Sequence, residues 1–441
     1  MSTKQKPLRI VHLCTSDTGG GAAIAARRLV HAQRACGIES YMVVLHQETN
    51  DPYTYSILKR NKLSSFRALL YKMSEAALSA ISCGVLRGHR LFALSIPFFG
   101  FDILRNPLCR QADILHFHYT NQGFISLRTL RKIAKAHKKV VFTLHDIWHV
   151  AAICHYTRDT HSKGFELSTP YARGFPAKIF AKYVWKAKRN LYKELCPSFV
   201  GCSQWIAGVA QRSQLTRGCS VSAIPNIPDT AHFQPIDKEK ARREWGLPLD
   251  RPLILYGAAN TNDDRKGYKE MKESMNYLSK DEVVHEKNPL LVVFGKYNPA
   301  LFTQELLGIE VRCLGFVKDP EKMALLYAAS DLFLTTALEE NLPNTIIEAQ
   351  LCNCPSIAFA IGGIPEIITS ESEGYLATPY DTKEVAKALA HYVSKFTTSD
   401  TDTTLFEKAC QRYDHKRIVE SYNLVYRDTY SKESSTIISQ N

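Results

Sequence analysis

Two periods take turns along this chain. Short apolar runs of the kind that form buried strands are followed by amphipathic stretches with helical spacing, and the cycle repeats. In the first half, residues 8–14, 40–45, 113–118, 139–144, 199–205 and 221–225 read as strands or as strands leading into helices. Residues 22–36, closed by Gly37, and 127–137 read as helices between them. In the second half the strands are 252–257, 290–295, 310–317, 331–336 and 356–359. The helices there are 268–278, 320–329, a short one after Pro343, and one opened by the capping box of Asp381 and Glu384 and running to about 393. Alternation of this kind builds parallel sheets with helices on both faces, so the fold class is α/β with two Rossmann-like doubly wound domains. Pro225, Pro228 and Pro235 mark the join. The expected division is 1–225 for an N-terminal domain, 226–236 for a linker, 237–415 for a C-terminal domain, and 416–441 for a last helix and frayed tail.

At 441 residues, two or three domains are expected. The net charge of +13 is unusual and points to anionic partners: nucleic acid, a membrane surface or a charged substrate. No nucleic-acid motif is evident, and the basic residues fall in separate helices. The start, Met1 to Arg9, has no signal-peptide core, and no long uncharged apolar window reads as a transmembrane helix. The 12 cysteines include no Cys-x2-Cys pair, only Cys352-x-Cys354, which reads as reduced thiols in the cytoplasm and argues against a metal centre.

Two stretches break the alternation. In 59–105, Phe66, Leu69, Leu70, Met73, Ala77, Leu78 and Ile81 recur at helical spacing among Lys59, Arg60, Lys62, Arg67, Lys72, Arg87 and Arg90. An aromatic run from Leu91 to Phe101 follows. Such a helix lies on an anionic bilayer or turns its apolar face to the core. In 178–193, Lys178, Lys182, Lys186, Lys188, Arg189 and Lys193 recur about every four residues. They form a solvated face or a second contact to an anionic membrane or acceptor phosphate.

The chemistry concentrates in residues 337–366. Glu340 lies in the loop after the strand 331–336, and Glu348, seven residues further on, lies on the helix that this loop feeds. Ligands of open α/β sheets bind at such strand ends. Pro343 fits the loop or first turn, and the N–H groups near Asn344 and Thr345 can face a phosphate. Glu348 can accept hydrogen bonds from ribose hydroxyls, and Glu340 stands nearer the reacting end. Gly362-Gly363-Ile364-Pro365-Glu366 completes the pattern. Arg265 and Lys266, at the mouth of the strand 252–257, are the best candidates for a diphosphate clamp, because fixed cations stabilise negative charge where it develops. In the first half, Gly19-Gly20-Gly21 lets a ligand approach the backbone. Since it is not Gly-x-Gly-x-x-Gly, a dinucleotide cofactor is disfavoured. The strand 139–144 ends in His145-Asp146, and His116 and His118 flank the same strand ends.

These residues resemble the retaining glycosyltransferases of the large group 1 class, family 4, whose signature is Glu-x7-Glu, usually opening Glu-Gly-Phe-Gly. Here it reads Glu340-Asn341-Leu342-Pro343. The resemblance implies a GT-B fold, two domains facing a cleft, with the C-terminal helix crossing back to the first domain. It implies that Gly20 and Gly21 face the donor diphosphate and the acceptor. It places His145 over the donor sugar, the Asn341–Thr345 loop and Glu348 at the nucleotide, and Phe316 and Val317 beside the base. Residues 224–229 resemble the connector between the domains. The implied activity is transfer of a hexose from a nucleotide-diphosphate sugar to a glycan or glycolipid acceptor in surface polysaccharide or lipopolysaccharide synthesis. No protein nucleophile, cofactor or obligatory metal is expected. The expected place is the cytoplasm, with the inner face of the membrane as an option. Two other readings stand beside it: a nucleotide-sugar 2-epimerase on the same fold, and a non-enzymatic basic membrane-binding protein.

Overall fold

The structure, a computed structural model, describes residues 7–58, 62–83, 93–157, 159–170, 175–303, 307–396 and 403–432. The chain divides into two compact units, Met1–Ile227 with His415–Asn441, and Pro228–Asp414.

Among the described residues of the first unit, seven parallel strands form one sheet. They are β1 (Arg9–Ser16), β2 (Glu39–His46), β3 (Thr54–Ser56), β4 (Ile114–Phe117), β5 (Lys139–Leu144), β6 (Ser198–Gly201) and β7 (Ser220–Ala223). Their order is β3-β2-β1-β4-β5-β6-β7. Helices cover the sheet, so Ile10, Val11, Leu13, Leu115, Phe117, Val141 and Phe142 are all buried, and the strands read as nearly continuous apolar runs. Two of the polar exceptions, His12 and His116, lie opposite each other across β1 and β4. The order reverses between these two strands, and ligands of such sheets bind at that switch point.

The last helix, His415–Ser431, belongs to this unit, as the resemblance implies. It packs on the helix Gly21–Ala35 and on β5, with Ile418, Tyr422 and Tyr426 buried. The tail expected to fray, like Lys59, Arg60, Arg87 and Arg90, lies outside the described residues.

The helix Lys62–Cys83 corrects one reading. Its inward face is Ala68, Glu75, Ser79 and Ser82, all buried, whereas Phe66, Leu69, Leu70, Met73 and Ile81 are exposed. Backbone is the reason. The loop at Gly123 comes so close that a Cβ there would meet the backbone of Tyr71 and Lys72 at 2.8 Å, and its N–H donates to Glu75 Oε2 at 2.7 Å. Ser79 donates to Leu94 O at 3.1 Å. A face that must satisfy neighbouring backbone selects small and polar side chains. In the helix Phe175–Leu195, Lys178, Lys182, Lys186, Arg189 and Lys193 are exposed. Lys188, expected on the same solvated run, is buried instead. Its ammonium donates to the carbonyls of Trp148 and Ala151 and lies 3.4 Å from the Trp148 ring centroid. Among the described residues, no helix is long and apolar enough to cross a membrane.

The second unit has six parallel strands among its described residues. They are β8 (Leu253–Asn260), β9 (Leu290–Lys296), β10 (Glu310–Gly315), β11 (Leu332–Thr335), β12 (Ser356–Phe359) and β13 (Gly374–Ala377), in the order β10-β9-β8-β11-β12-β13. Its switch point lies between β8 and β11. The strand β8 runs past its expected end to Asn260, which pairs with Lys296 after a register shift. The edge strands β3 and β13 escaped the sequence reading; three or four residues with mixed polarity carry little periodic signal. Asp381 caps the helix Thr382–Ser394 as expected, accepting from the N–H groups of Lys383 and Glu384.

Candidate active site

In the second unit, close backbone packing brings the charged residues together. Gly267 has φ +69, and a Cβ there would lie 1.8 Å from Thr336 O. Only glycine lets the turn Asp264–Lys266 sit against the end of β11. Leu338 N–H donates to Arg265 O at 2.7 Å, Thr336 Oγ1 to Gly267 O at 2.8 Å, and Tyr256 OH to Lys266 O at 3.2 Å. Gly362, with φ +55, makes the matching approach from the other side, where a Cβ would lie 1.8 Å from Glu340 O. Gly363 N–H donates to Asn341 O at 2.8 Å. The Gly-Gly motif therefore braces the loop that carries Glu340.

On this frame the Lys266 ammonium and the Glu340 carboxylate form an ion pair, their side chains 27% and 21% exposed. Asn341, Leu342 and Pro343 are buried. Pro343 is the N-cap residue of the helix Asn344–Leu351, and Asn344, Thr345 and Glu348 are half-buried on it. Glu348 lies near the buried Tyr327 phenol, whose pKa is raised by burial first and then by the Glu348 charge. Arg265 turns back on Asp263, with Nη2 2.5 Å from Oδ2 and Nε 3.1 Å from Oδ1. Burial works against the Asp263 carboxylate, but Arg265 outweighs it and holds the pKa below the ordinary value. The structure thus brings Lys266 and Glu340 into contact and places Glu348 on the adjoining helix. Phe316, 55% exposed, and Val317 lie beyond β10 on the far side of β9 from β8.

In the first unit, Gly20 is the N-cap residue of Gly21–Ala35 with φ 111, and Gly20 and Gly21 are both exposed. Asp17, fully buried, ties this loop to the end of β2 by accepting from Glu48 N at 2.8 Å and Thr49 N at 2.9 Å. His145, at the end of β5, bonds through Nε2 to His118 Nδ1 at 3.0 Å. It lines a small cavity with His118, Thr143, Asn226 and Tyr422. Burial lowers its pKa to about 4, against the pull of Asp146, so it is neutral near pH 7. Asp146 pairs with His155 at 2.7 Å, which outweighs burial and lowers the Asp146 pKa. His155 Nε2 reaches Ser95 Oγ at 2.9 Å, fixing the loop after His145.

Behind His145 stands a polar group that sequence reasoning missed: His12, Gln33, Thr143, Tyr422 and Tyr426, with His116 and His118 as flanking candidates. The available signal was a histidine inside each of two apolar strand runs and tyrosines on the apolar face of the last helix. The ligating atoms of His12, His116 and His118 lie within 4.8 Å of one another, close enough to hold a metal ion. Every ring nitrogen of these three also has a protein partner within 3.0 Å.

Two family models match the chain: Glycosyltransferase Family 4 over residues 19–232, and Glycosyl transferases group 1 over residues 237–399. N-acetyl-alpha-D-glucosaminyl L-malate synthase of Bacillus anthracis is 25% identical over 212 residues, 47% of this chain and 54% of its own length. UDP-Gal:alpha-D-GlcNAc-diphosphoundecaprenol alpha-1,3-galactosyltransferase of Escherichia coli is 25% identical over 321 residues, 71% of this chain and 73% of its own. The chain spans about half the length of the Bacillus relative and less of some others. Anabaena Alr3699/HepE, solved in complex with UDP and glucose, superposes with a TM-score of 0.58 at 16% identity, covering 96% of this chain and 100% of that one. WaaG, a glycosyltransferase involved in lipopolysaccharide biosynthesis, superposes with a TM-score of 0.60 at 16% identity over 96% and 100% of the two chains. Together with the two parallel α/β units, these matches place the chain in the group 1, family 4 glycosyltransferases, with the GT-B fold.

Proposed function

We propose that this protein is a retaining hexosyltransferase that moves a hexose from a nucleotide-diphosphate sugar to a glycan or lipid-linked acceptor in surface polysaccharide or lipopolysaccharide synthesis. The observation that carries the reading is the Lys266–Glu340 pair, braced by Gly267 and Gly362 at the strand ends beside the helix that bears Glu348. Lys266 takes the diphosphate and Glu340 turns to the donor sugar. Arg265 joins Lys266 by exchanging Asp263 for phosphate. Glu348 accepts the ribose hydroxyls, the N–H groups of Asn344 and Thr345 face phosphate, and Phe316 and Val317 flank the base. In the first unit, His145 serves the sugar, and Gly20 and Gly21 serve the diphosphate and the acceptor side.

The bond from the anomeric carbon to the diphosphate oxygen breaks, and charge grows on the leaving phosphate, where Lys266 stabilises it. The acceptor hydroxyl attacks on the same face and gives its proton to that phosphate oxygen. No residue of the chain is alkylated and no metal ion is required.

The exposed apolar side chains of Lys62–Cys83 support a peripheral contact with an anionic bilayer. Phe66 is 56% and Met73 59% exposed, beside exposed Lys62 and Arg67, and Phe99, Ile179 and Tyr183 are exposed too. Apolar side chains among cations are the chemistry of an interfacial helix, and this contact would bring the first unit to a lipid-linked acceptor.

Calorimetry against a panel of nucleotide sugars, followed by acceptor-dependent release of nucleoside diphosphate, tests the activity. One donor should bind, Lys266→Ala should lower kcat by about a hundredfold, and the product should keep the donor's anomeric configuration. Inversion, or nucleotide release that ignores the acceptor, refutes the reading. Flotation with phosphatidylglycerol vesicles should be lost in Phe66→Ser/Met73→Ser; binding that survives both changes refutes the membrane face.

A further inference from the structure

Three imidazoles and an amide run in one row from the end of β5 to the helix Gly21–Ala35. His145 Nε2 meets His118 Nδ1 at 3.0 Å, His118 Nε2 meets His12 Nδ1 at 2.9 Å, and His12 Nε2 meets Gln33 Oε1 at 2.9 Å. Gln33 gives the row a direction. Its Nε2 donates to Tyr426 OH at 2.8 Å, so its Oε1 faces the other way and accepts from Ser40 Oγ at 2.7 Å as well as from His12. A neutral imidazole has one N–H. His12 therefore carries it on Nε2 and accepts through Nδ1, His118 must donate from Nε2 and accept through Nδ1, and His145 must donate from Nε2. Burial keeps His12 and His118 neutral as it does His145. The opposite polarity needs the Gln33 amide to turn over, Ser40 to give up its donor bond to it, and Tyr426 to reverse, so the row switches as a unit or not at all.

We propose that Gln33, acting through His12 and His118, fixes the proton of His145 on Nε2, which makes Nδ1 the accepting nitrogen of that ring. Gln33, His12 and His118 are positioning residues. The catalytic consequence rests on the reading of His145 as the residue that serves the donor sugar. An acceptor nitrogen selects a sugar hydroxyl as its partner and rejects a second acceptor, such as a phosphate oxygen.

Long-range proton–nitrogen NMR of the full chain, labelled with nitrogen-15 in histidine, reads the tautomers without substrate. The expected pattern is the Nε2–H form for His12, His118 and His145. Gln33→Leu removes the acceptor that orients the row, and His145 should lose its single-tautomer pattern. Gln33→Glu keeps an acceptor toward His12 and Ser40, and the pattern should persist. With donor and acceptor in hand, kcat should fall in Gln33→Leu with little change in KM, and recover in Gln33→Glu. Three results overturn the proposal: Nδ1–H on His145 in the unsubstituted protein, an unchanged His145 tautomer in Gln33→Leu, or stoichiometric zinc held by His12, His116 and His118. If Gln33→Leu does not fold, the unsubstituted and Gln33→Glu spectra still decide. An unsubstituted protein that binds no nucleotide sugar refutes the transferase reading and leaves the tautomer result standing.

Discussion

Replacing Tyr426 with phenylalanine tests how the last helix is held to the first unit. The ring is fully buried, and its hydroxyl accepts from Gln33 Nε2 at 2.8 Å and lies 2.9 Å from His116 Nδ1. Phenylalanine fills the same space, so no cavity term enters. The cost comes from Gln33 and His116, each left buried with a bond unmade, at about 1–3 kcal/mol apiece. A loss of roughly 3 kcal/mol follows, which is about a hundredfold in the opening equilibrium of the helix. Hydrogen exchange read by mass spectrometry on peptides from His415–Ser431 measures that opening directly. Protection should fall by about that factor in Tyr426→Phe and stay unchanged in the control Leu424→Ala, whose side chain is 64% exposed. Adding Gln33→Leu removes one of the orphaned partners, so the pair should cost less than the sum of the single changes. A change in protection below about threefold, or strict additivity, would show that the hydroxyl is not the clasp.

Gly267→Ala should destabilise the second unit by more than about 2 kcal/mol, because its Cβ would meet Thr336 O at 1.8 Å on a left-handed backbone. Scanning calorimetry measures the loss, and nucleotide affinity should fall although Lys266 remains. Lys188→Met leaves the buried carbonyls of Trp148 and Ala151 without the donor they share. Limited proteolysis should then cut the loop after His145 faster than in the unsubstituted protein, and equal rates would refute the bracing role of Lys188. Acid should weaken the first unit early. His12 and His145 have folded pKa values of about 4 and His149 of about 3, all lowered first by burial from an unfolded value of about 6.5. Between those limits the unfolded chain binds protons that the folded chain refuses, so stability falls as pH drops, by about 1.4 kcal/mol per pH unit for each histidine. Thermal melting followed across pH 7 to 4 checks the sign, and a flat profile contradicts the burial argument. Transfer activity should survive a chelator, and strict metal dependence would overturn the metal-free route.

The sheets were readable because a strand buried on both faces shows as an apolar run, and the Glu340–Glu348 loop because proline and paired glycines punctuate it. The partnership of Lys266 with Glu340 needed Gly267 and Gly362, whose role depends on what backbone lies opposite, and local pattern does not contain that. The choice left open for the helix Lys62–Cys83, core or bilayer, could not be made from pattern for a related reason. Periodicity identifies an apolar face, but which face turns inward was settled by two neighbouring segments, whose backbone at Gly123 and Leu94 needed Glu75 and Ser79. Lys188 departs from its run in the same way, since spacing alone cannot separate a buried donor from its solvated neighbours. The histidine row was hidden because its members come from four separate segments and meet only through strand register.

The placement of His415–Ser431 has a consequence for biogenesis. Emerging from the ribosome, Met1–Ile227 would carry Gln33, His116 and Thr143 in a core still lacking its tyrosines, and would wait while all of Pro228–Asp414 is made. A nascent first unit is therefore an unfinished product, and a truncated message yields a client for chaperones rather than a working half.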